Sequence, residues 1–145
     1  METIEVLRGV DLFKNLTDNQ MDRLVGIAVE LSFPEGPIIK DNDDADGLYI
    51  VKSGMLKVSK GSADTLGIEA VLAILRPGNS FGEISLIDGL PRSANVVAMG
   101  PVVCYFLPRD AFMLMLKETP EIAFALLPAL ASMVRSADQW VAQLV

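Results

Sequence analysis

The chain has 145 residues, 51% hydrophobic and 21% charged, which is the composition of one globular unit with one core and excludes a disordered segment. Its formal net charge is −7, and its 12 Lys and Arg are scattered, so nucleic acid is not expected as a direct partner. With one cysteine and no histidine, an internal disulfide and any His-based triad are excluded, and zinc, haem-histidine and iron–sulfur sites are disfavoured.

Met1-Glu2-Thr3-Ile4-Glu5 lacks the apolar run of an export signal, and no stretch approaches the ~20 apolar residues of a membrane helix. A cytoplasmic protein without a membrane partner is the expectation. Residues 1–30 read as helical. Thr17 followed by Gln20 is a capping box, and Leu16 before the cap can pack on Met21 as a staple. Met21, Leu24, Val25 and Ala28 continue at helical spacing.

Residues 31–107 read as β. Pro34-Glu35-Gly36-Pro37 is turn chemistry, and Ile38-Ile39 follows it. Asp41-Asn42-Asp43-Asp44-Ala45-Asp46-Gly47 is a polar loop. It reads as solvated rather than calcium-binding, because the bidentate Glu near loop position ~12 is missing. Short apolar runs follow at Leu48–Val51, Met55–Val58, Ile68–Leu75, Ala94–Met99 and Val102–Leu107, with Gly and Pro between several of them. Cys104, inside the last run, reads as a small buried hydrophobe. Many short strands at close spacing point to a small antiparallel barrel or sandwich.

Residues 108–145 return to helix. Ala111–Lys117 is a short one. Thr119 can cap the next, with Pro120 at its first position and Glu121 at the positive dipole end. Leu126, Leu130, Met133, Ala137, Trp140 and Leu144 then form a heptad seam. Pro128 inside this helix removes one backbone hydrogen bond and is expected to distort it. The expected fold is α+β: one domain over 1–145, an antiparallel β-roll in the form of a jelly-roll-like barrel, flanked by N-terminal helices and a long C-terminal helix.

The chemistry sits in residues 81–94, Phe81-Gly82-Glu83-Ile84-Ser85-Leu86-Ile87-Asp88-Gly89-Leu90-Pro91-Arg92-Ser93-Ala94. Gly82 permits close approach of backbone to another group. Glu83 to Ile87 can make one helical turn whose free N–H groups favour an anion. Arg92 is a fixed-charge fork suited to phosphate. Asp88-Gly89 turns the chain back, and Pro91 stiffens it. Glu83 repels a phosphate, but it suits a ribose hydroxyl. Together these residues fit a 3′,5′-cyclic nucleotide; the alternative is that Glu83 and Arg92 simply pair across a β-bulge.

The segment resembles the phosphate-binding cassette of the cyclic-nucleotide-binding domain family: Phe-Gly-Glu, a small residue, Leu, then Pro-Arg, a small or hydroxyl residue and Ala. The Glu83-to-Arg92 interval is similar to that of kinase regulatory subunits. Phe13–Thr17, Tyr49–Gly54 and Thr119–Ile122 resemble the family's entry helices, its strand and turn, and the start of its long helix in the catabolite activator type.

The resemblance implies roles. Glu83 takes the ribose hydroxyl. Arg92 and the amides near Ser85 and Ser93 take the phosphate, within a site that also includes Gly82, Ile84 and Ala94. Val58, Leu72 and Leu75 lie against the base, and the long helix covers it. Ser93 in place of Thr leans to adenine, so cAMP is the expected ligand and cGMP a possible one. Ala137 and Asp138 stand where the activator type has two hydroxyl residues on adenine. No cofactor, metal or catalysis is expected, since no nucleophile–base pair or phosphate-loop lysine motif occurs. The expected activity is a regulatory sensor that acts through its last helix on an unknown effector, as a homodimer through that helix. The seam folding back on the β-roll is the competing reading for the helix. A ligand-free interaction module on the same scaffold competes for the whole.

Overall fold

The computed structural model describes residues 3–40, 43–44, 46–60, 70–92 and 94–144, the last eight of these as backbone alone. Helix α1 (Thr3–Arg8), a 3-10 turn (Asp11–Phe13) and α2 (Asp18–Ile27) open the chain. The capping box forms as expected. Gln20 N–H donates to Thr17 Oγ1 at 3.2 Å, and Thr17 N–H donates to Gln20 Oε1 at 3.0 Å. Leu16 and Met21 are both buried in the same cluster, as a staple requires.

Among the described residues eight strands follow: β1 (Val29–Phe33), β2 (Gly36–Ile39), β3 (Gly47–Ser53), β4 (Leu56–Lys60), β5 (Ala70–Leu75), β6 (Ser80–Phe81), β7 (Asn95–Ala98) and β8 (Val102–Pro108). Helix α3 (Glu83–Asp88) lies between β6 and β7, and α4 (Arg109–Glu118) and α5 (Pro120–Leu144) end the chain. The first strand starts inside the stretch read as helical, because α2 ends at Ile27 and Ala28 is already extended. Asp41, Asn42 and residues 61–69 lie outside the described residues, Ile68 of the apolar run Ile68–Leu75 among them.

Among the described residues the strands pair antiparallel in two sheets of four, ordered β1-β8-β3-β6 and β2-β7-β4-β5. The roll therefore consists of two open sheets and does not close into a barrel. Alternation along β3 and β8 explains the layering. Leu48, Ile50, Tyr105 and Leu107 face the helices and join Phe13, Leu24, Phe112 and Leu126 in one core. Tyr49, Val51, Val102 and Cys104 face the second sheet and meet Leu56, Val96 and Ala98 in the other. A strand covered on both faces reads as a continuous apolar run, which is what Leu48–Val51 is.

Pro128 sits within a helix assigned without interruption from Pro120 to Leu144. Leu126 is buried, and Leu130 and Met133 pack partly buried against the helical core. The first half of the heptad seam is thus covered by the chain's own N-terminal elements. Lys14 Nζ donates to Ser132 Oγ at 3.3 Å and ties the 3-10 turn to α5. The side chains of Ala137, Asp138, Trp140 and Leu144 lie outside the described residues. Among the described residues no helix is long and apolar enough to cross a membrane.

Candidate functional site

Residues 82–94 carry the chain from one sheet to the other, since β6 pairs with β3 and β7 pairs with β2 and β4. Gly82 makes the turn with φ 96°, a left-handed conformation that glycine adopts freely. A side chain here would also collide with the Arg92 guanidinium and come within 2.9 Å of the Gly47 carbonyl oxygen. The glycine therefore lets α3 start directly against Arg92. Leu86 N–H closes the first turn of α3 on the Gly82 carbonyl at 2.9 Å. The amides of Glu83, Ile84 and Ser85 precede that bond and have no acceptor within the helix.

Arg92 is only 6% exposed. Its Nη2 donates to the Asp46 carboxylate and to the Gly47 carbonyl. Its Nε and Nη1 are buried with no hydrogen-bond partner among the described residues. Each such orphan costs about 1–3 kcal/mol unless an acceptor arrives. The guanidinium lies 5.9 Å from the centre of the Tyr49 ring. Tyr49 stacks on Phe81 at 4.9 Å between centroids, 3° from parallel. Its hydroxyl donates to Asp46 Oδ2 at 2.8 Å. Burial above all, then the Asp46 carboxylate, holds the Tyr49 pKa above the usual tyrosine range, so it remains a neutral donor. Two further bonds anchor the loop: Arg92 N–H donates to the Asp43 carbonyl at 2.8 Å and Arg109 N–H to the Asp46 carbonyl at 2.9 Å.

Glu83, partly exposed, accepts from the Ser80 hydroxyl. Among the described residues the ion pair of Arg92 is with Asp46, so the Glu83–Arg92 pair that the sequence also allowed is not formed. Glu83 and Arg92 instead line one cavity of about 230 Å³. Gly82, Ile84 and Ser85 of the cassette line it too, as do Ala94 and, from β4, Val58. Seven of the ten residues singled out in the sequence thus come together. Ser93 lies outside the described residues.

Leu72 and Leu75 do not line this cavity. Leu75 pairs with Leu56 and Ala73 with Val58, so those share a face, and Leu72 alternates to the other. On the edge strand β5 it is 57% exposed. Leu75 borders a second cavity of about 450 Å³, together with Met133 of α5 and Glu83. The register in which β5 pairs with β4 leaves no mark in the sequence.

Sequence reading passed over Ile39 and Val96, which supply apolar lining from β2 and β7, and Asp46, Tyr49 and Ser80, which hold the charged groups. Ile39 sits in a pair of apolar residues and Val96 opens a run of four, Val96 to Met99, where only strand pairing decides which ones face inward. Asp46 was one of four acids in a loop, and composition does not say which of them meets a buried arginine. The arrangement as a whole offers a cation with unmet donors, free backbone amides, a carboxylate acceptor and an apolar surface. It suits a small anion that carries a hydroxyl donor and a flat apolar part.

The sequence pattern of the cyclic nucleotide-binding domain matches residues 31–119. The cyclic AMP receptor protein of Thermus thermophilus is 32% identical over 91% of this chain and 61% of its own length. A cGMP-dependent protein kinase of Toxoplasma gondii is 36% identical over 75% of this chain and 10% of its own. The crystal structure of the N-terminal domain of a transcriptional regulator from Streptomyces coelicolor superposes with a TM-score of 0.82 at 34% identity, covering 94% of each chain. This chain spans 61–62% of the length of the bacterial regulators it matches.

Proposed function

Because the chain belongs to the cyclic nucleotide-binding domain family, we propose that its cavity takes a 3′,5′-cyclic nucleotide, cAMP in particular, and that residues 1–145 act as one sensor unit whose output runs through α5. The observation that carries this is Arg92: a buried guanidinium with Nε and Nη1 unmet at the edge of an open cavity. A singly charged cyclic phosphate supplies acceptors and balances the charge, with the amides of Ile84 and Ser85 and the segment around Ser93 as further donors. Glu83, steadied by Ser80, accepts from the 2′-hydroxyl, the one free hydroxyl of a cyclic nucleotide's ribose. Val58, Ile39 and Val96 give the sugar and base an apolar contact.

The relatives named above include one called a cyclic AMP receptor and one called a cGMP-dependent kinase, so family membership does not choose the base. Ser93 in place of Thr favours adenine. Binding draws the cassette inward, and α5 re-docks over the base. A ligand shifts such an equilibrium only by its differential affinity for the two arrangements. A second copy of the chain, docked through α5, and an effector receive the change.

Calorimetric titration with cAMP, cGMP and 2′-deoxy-cAMP tests the reading. In the wild type cAMP binds tighter than cGMP, and the deoxy analogue binds at least about tenfold more weakly than cAMP, the loss expected for a hydrogen bond to a charged acceptor. In Glu83→Gln the penalty for removing the 2′-hydroxyl shrinks. Equal wild-type affinity for cAMP and its deoxy analogue contradicts the role of Glu83, and heatless titration with both cyclic nucleotides contradicts the site.

A further inference from the structure

We infer that Arg109, the first residue of α4, is the positioning residue that fastens the cassette helix α3 to the C-terminal helices, so that movement of α3 on nucleotide binding is carried into α4 and α5. This rests on the nucleotide-binding reading of the cavity.

The contact lies at the far end of α3 from the phosphate groups. Arg109 Nε donates to the Leu86 carbonyl at 3.1 Å, and its Nη2 donates to the Ile87 carbonyl at 3.4 Å. These carbonyls belong to the last turn of α3, where the helix has no N–H groups left to satisfy them and where partial negative charge accumulates. A guanidinium placed there meets both needs with one planar fork.

The local backbone is shaped to admit it. Gly89 ends α3 with φ 71°, and its N–H returns to the Ser85 carbonyl at 2.9 Å. A side chain at Gly89 would come within 2.8 Å of the Arg109 guanidinium carbon. The glycine therefore serves two ends, the left-handed cap and the space for the fork.

Arg109 also reaches the charged side of the cavity. Its backbone N–H donates to the carbonyl of Asp46, whose carboxylate holds Arg92 and accepts from Tyr49. One residue thus touches both the end of the cassette helix and the loop that carries the partner of the phosphate-binding arginine. It sits where α4 begins, and Phe112 and Met115 of α4 share a core with Ile122 and Leu126 of α5.

Apolar packing alone does not explain such a link. Leu86 enters that same core, and Ile87 packs against it. Apolar contacts are non-directional and allow one surface to slide over another. Two hydrogen bonds from a fixed fork impose direction and register, so a shift of α3 pulls on the start of α4.

Amide hydrogen exchange on the full chain, with and without saturating cAMP, separates binding from transmission. In the wild type cAMP alters protection in α3 and also in α4 and α5. In Arg109→Ala the change in α3 persists while that in α4 and α5 is lost. Affinity falls about tenfold, a typical coupling between sites. Arg109→Lys, with a point charge able to reach one carbonyl, restores part of the α4–α5 change. Gly89→Ala keeps the arginine but crowds its guanidinium, and it gives the same split should Arg109→Ala fail to fold. Full transmission to α4 and α5 in Arg109→Ala, or in Gly89→Ala if the first does not fold, overturns the inference. So does a wild type that binds cAMP with no change in α4 and α5. A wild type that binds no cyclic nucleotide brings down the reading of the cavity itself, and this inference with it.

Discussion

At Arg92 the fold accepts what protein interiors usually avoid, a guanidinium 6% exposed with two nitrogens, Nε and Nη1, unmet among the described residues. Its tether explains why it stays: Asp46 and the Gly47 carbonyl take one nitrogen, and the Tyr49 ring lies alongside. Gly82 is the residue on which this placement turns. In Gly82→Ala the methyl group meets the guanidinium, and the left-handed φ adds strain of about 1–2 kcal/mol. Arg92 must then leave its position. The variant should melt a few degrees lower and lose cyclic-nucleotide stabilisation almost entirely, as read by thermal denaturation with and without cAMP. Wild-type stabilisation by cAMP in Gly82→Ala speaks against the close approach. The sequence made Gly82, Glu83 and Arg92 legible because their side-chain chemistry is unusual for a β-connection. It did not reveal that Gly82 makes room for Arg92 itself.

Along α5, heptad spacing marks a stripe that needs cover without saying what covers it. The stripe through Leu126, Leu130 and Met133 turns inward onto the chain's own core. A second stripe faces out: Phe124 is 71% exposed, Leu127 57% and Val134 62%, and Ala131 between them is exposed as well. Their 3-4-3 spacing suits a helix partner. If α5 joins two copies, the described part of that contact is this outer stripe and not the inner one. Sedimentation of the intact chain should show a concentration-dependent dimer, and Leu127→Glu with Val134→Glu should yield a monomer that still binds cAMP. A monomeric wild type at all accessible concentrations rules the dimer out. The same lesson holds for β5. Its apolar run was plain to read, but the register that turns Leu72 outward and Leu75 toward Met133 arises from pairing with β4, a non-local fact.

Across the whole molecule, helices, one sheet and a second sheet form three layers, with the middle sheet buried on both sides. The β character of the middle of the chain, the helices at both ends and the cassette were legible because each rests on local spacing and turn chemistry. The division into two open sheets was not, since it depends on which strands meet. Burial in the inter-sheet core raises the Cys104 thiol from its ordinary 9.0 to about 11, and Tyr49 is raised too. As pH climbs past the ordinary values, the unfolded chain releases these protons first while the folded chain keeps them. Stability is therefore complete below about pH 9 and declines above it, by up to about 1.4 kcal/mol per pH unit for each group. Urea midpoints measured from about pH 8 to about pH 10.5 should fall, and less steeply in Cys104→Ala; midpoints that do not change with pH contradict the burial argument. The central claim, that the unmet donors of Arg92 hold a cyclic phosphate, is tested most directly by titrating cAMP into the wild type and Arg92→Ala in the calorimeter. Losing the partner of a buried charge is worth about 2–5 kcal/mol, so affinity should drop from about 30-fold to several thousand-fold while the variant remains folded. Equal affinity in the two proteins contradicts the account.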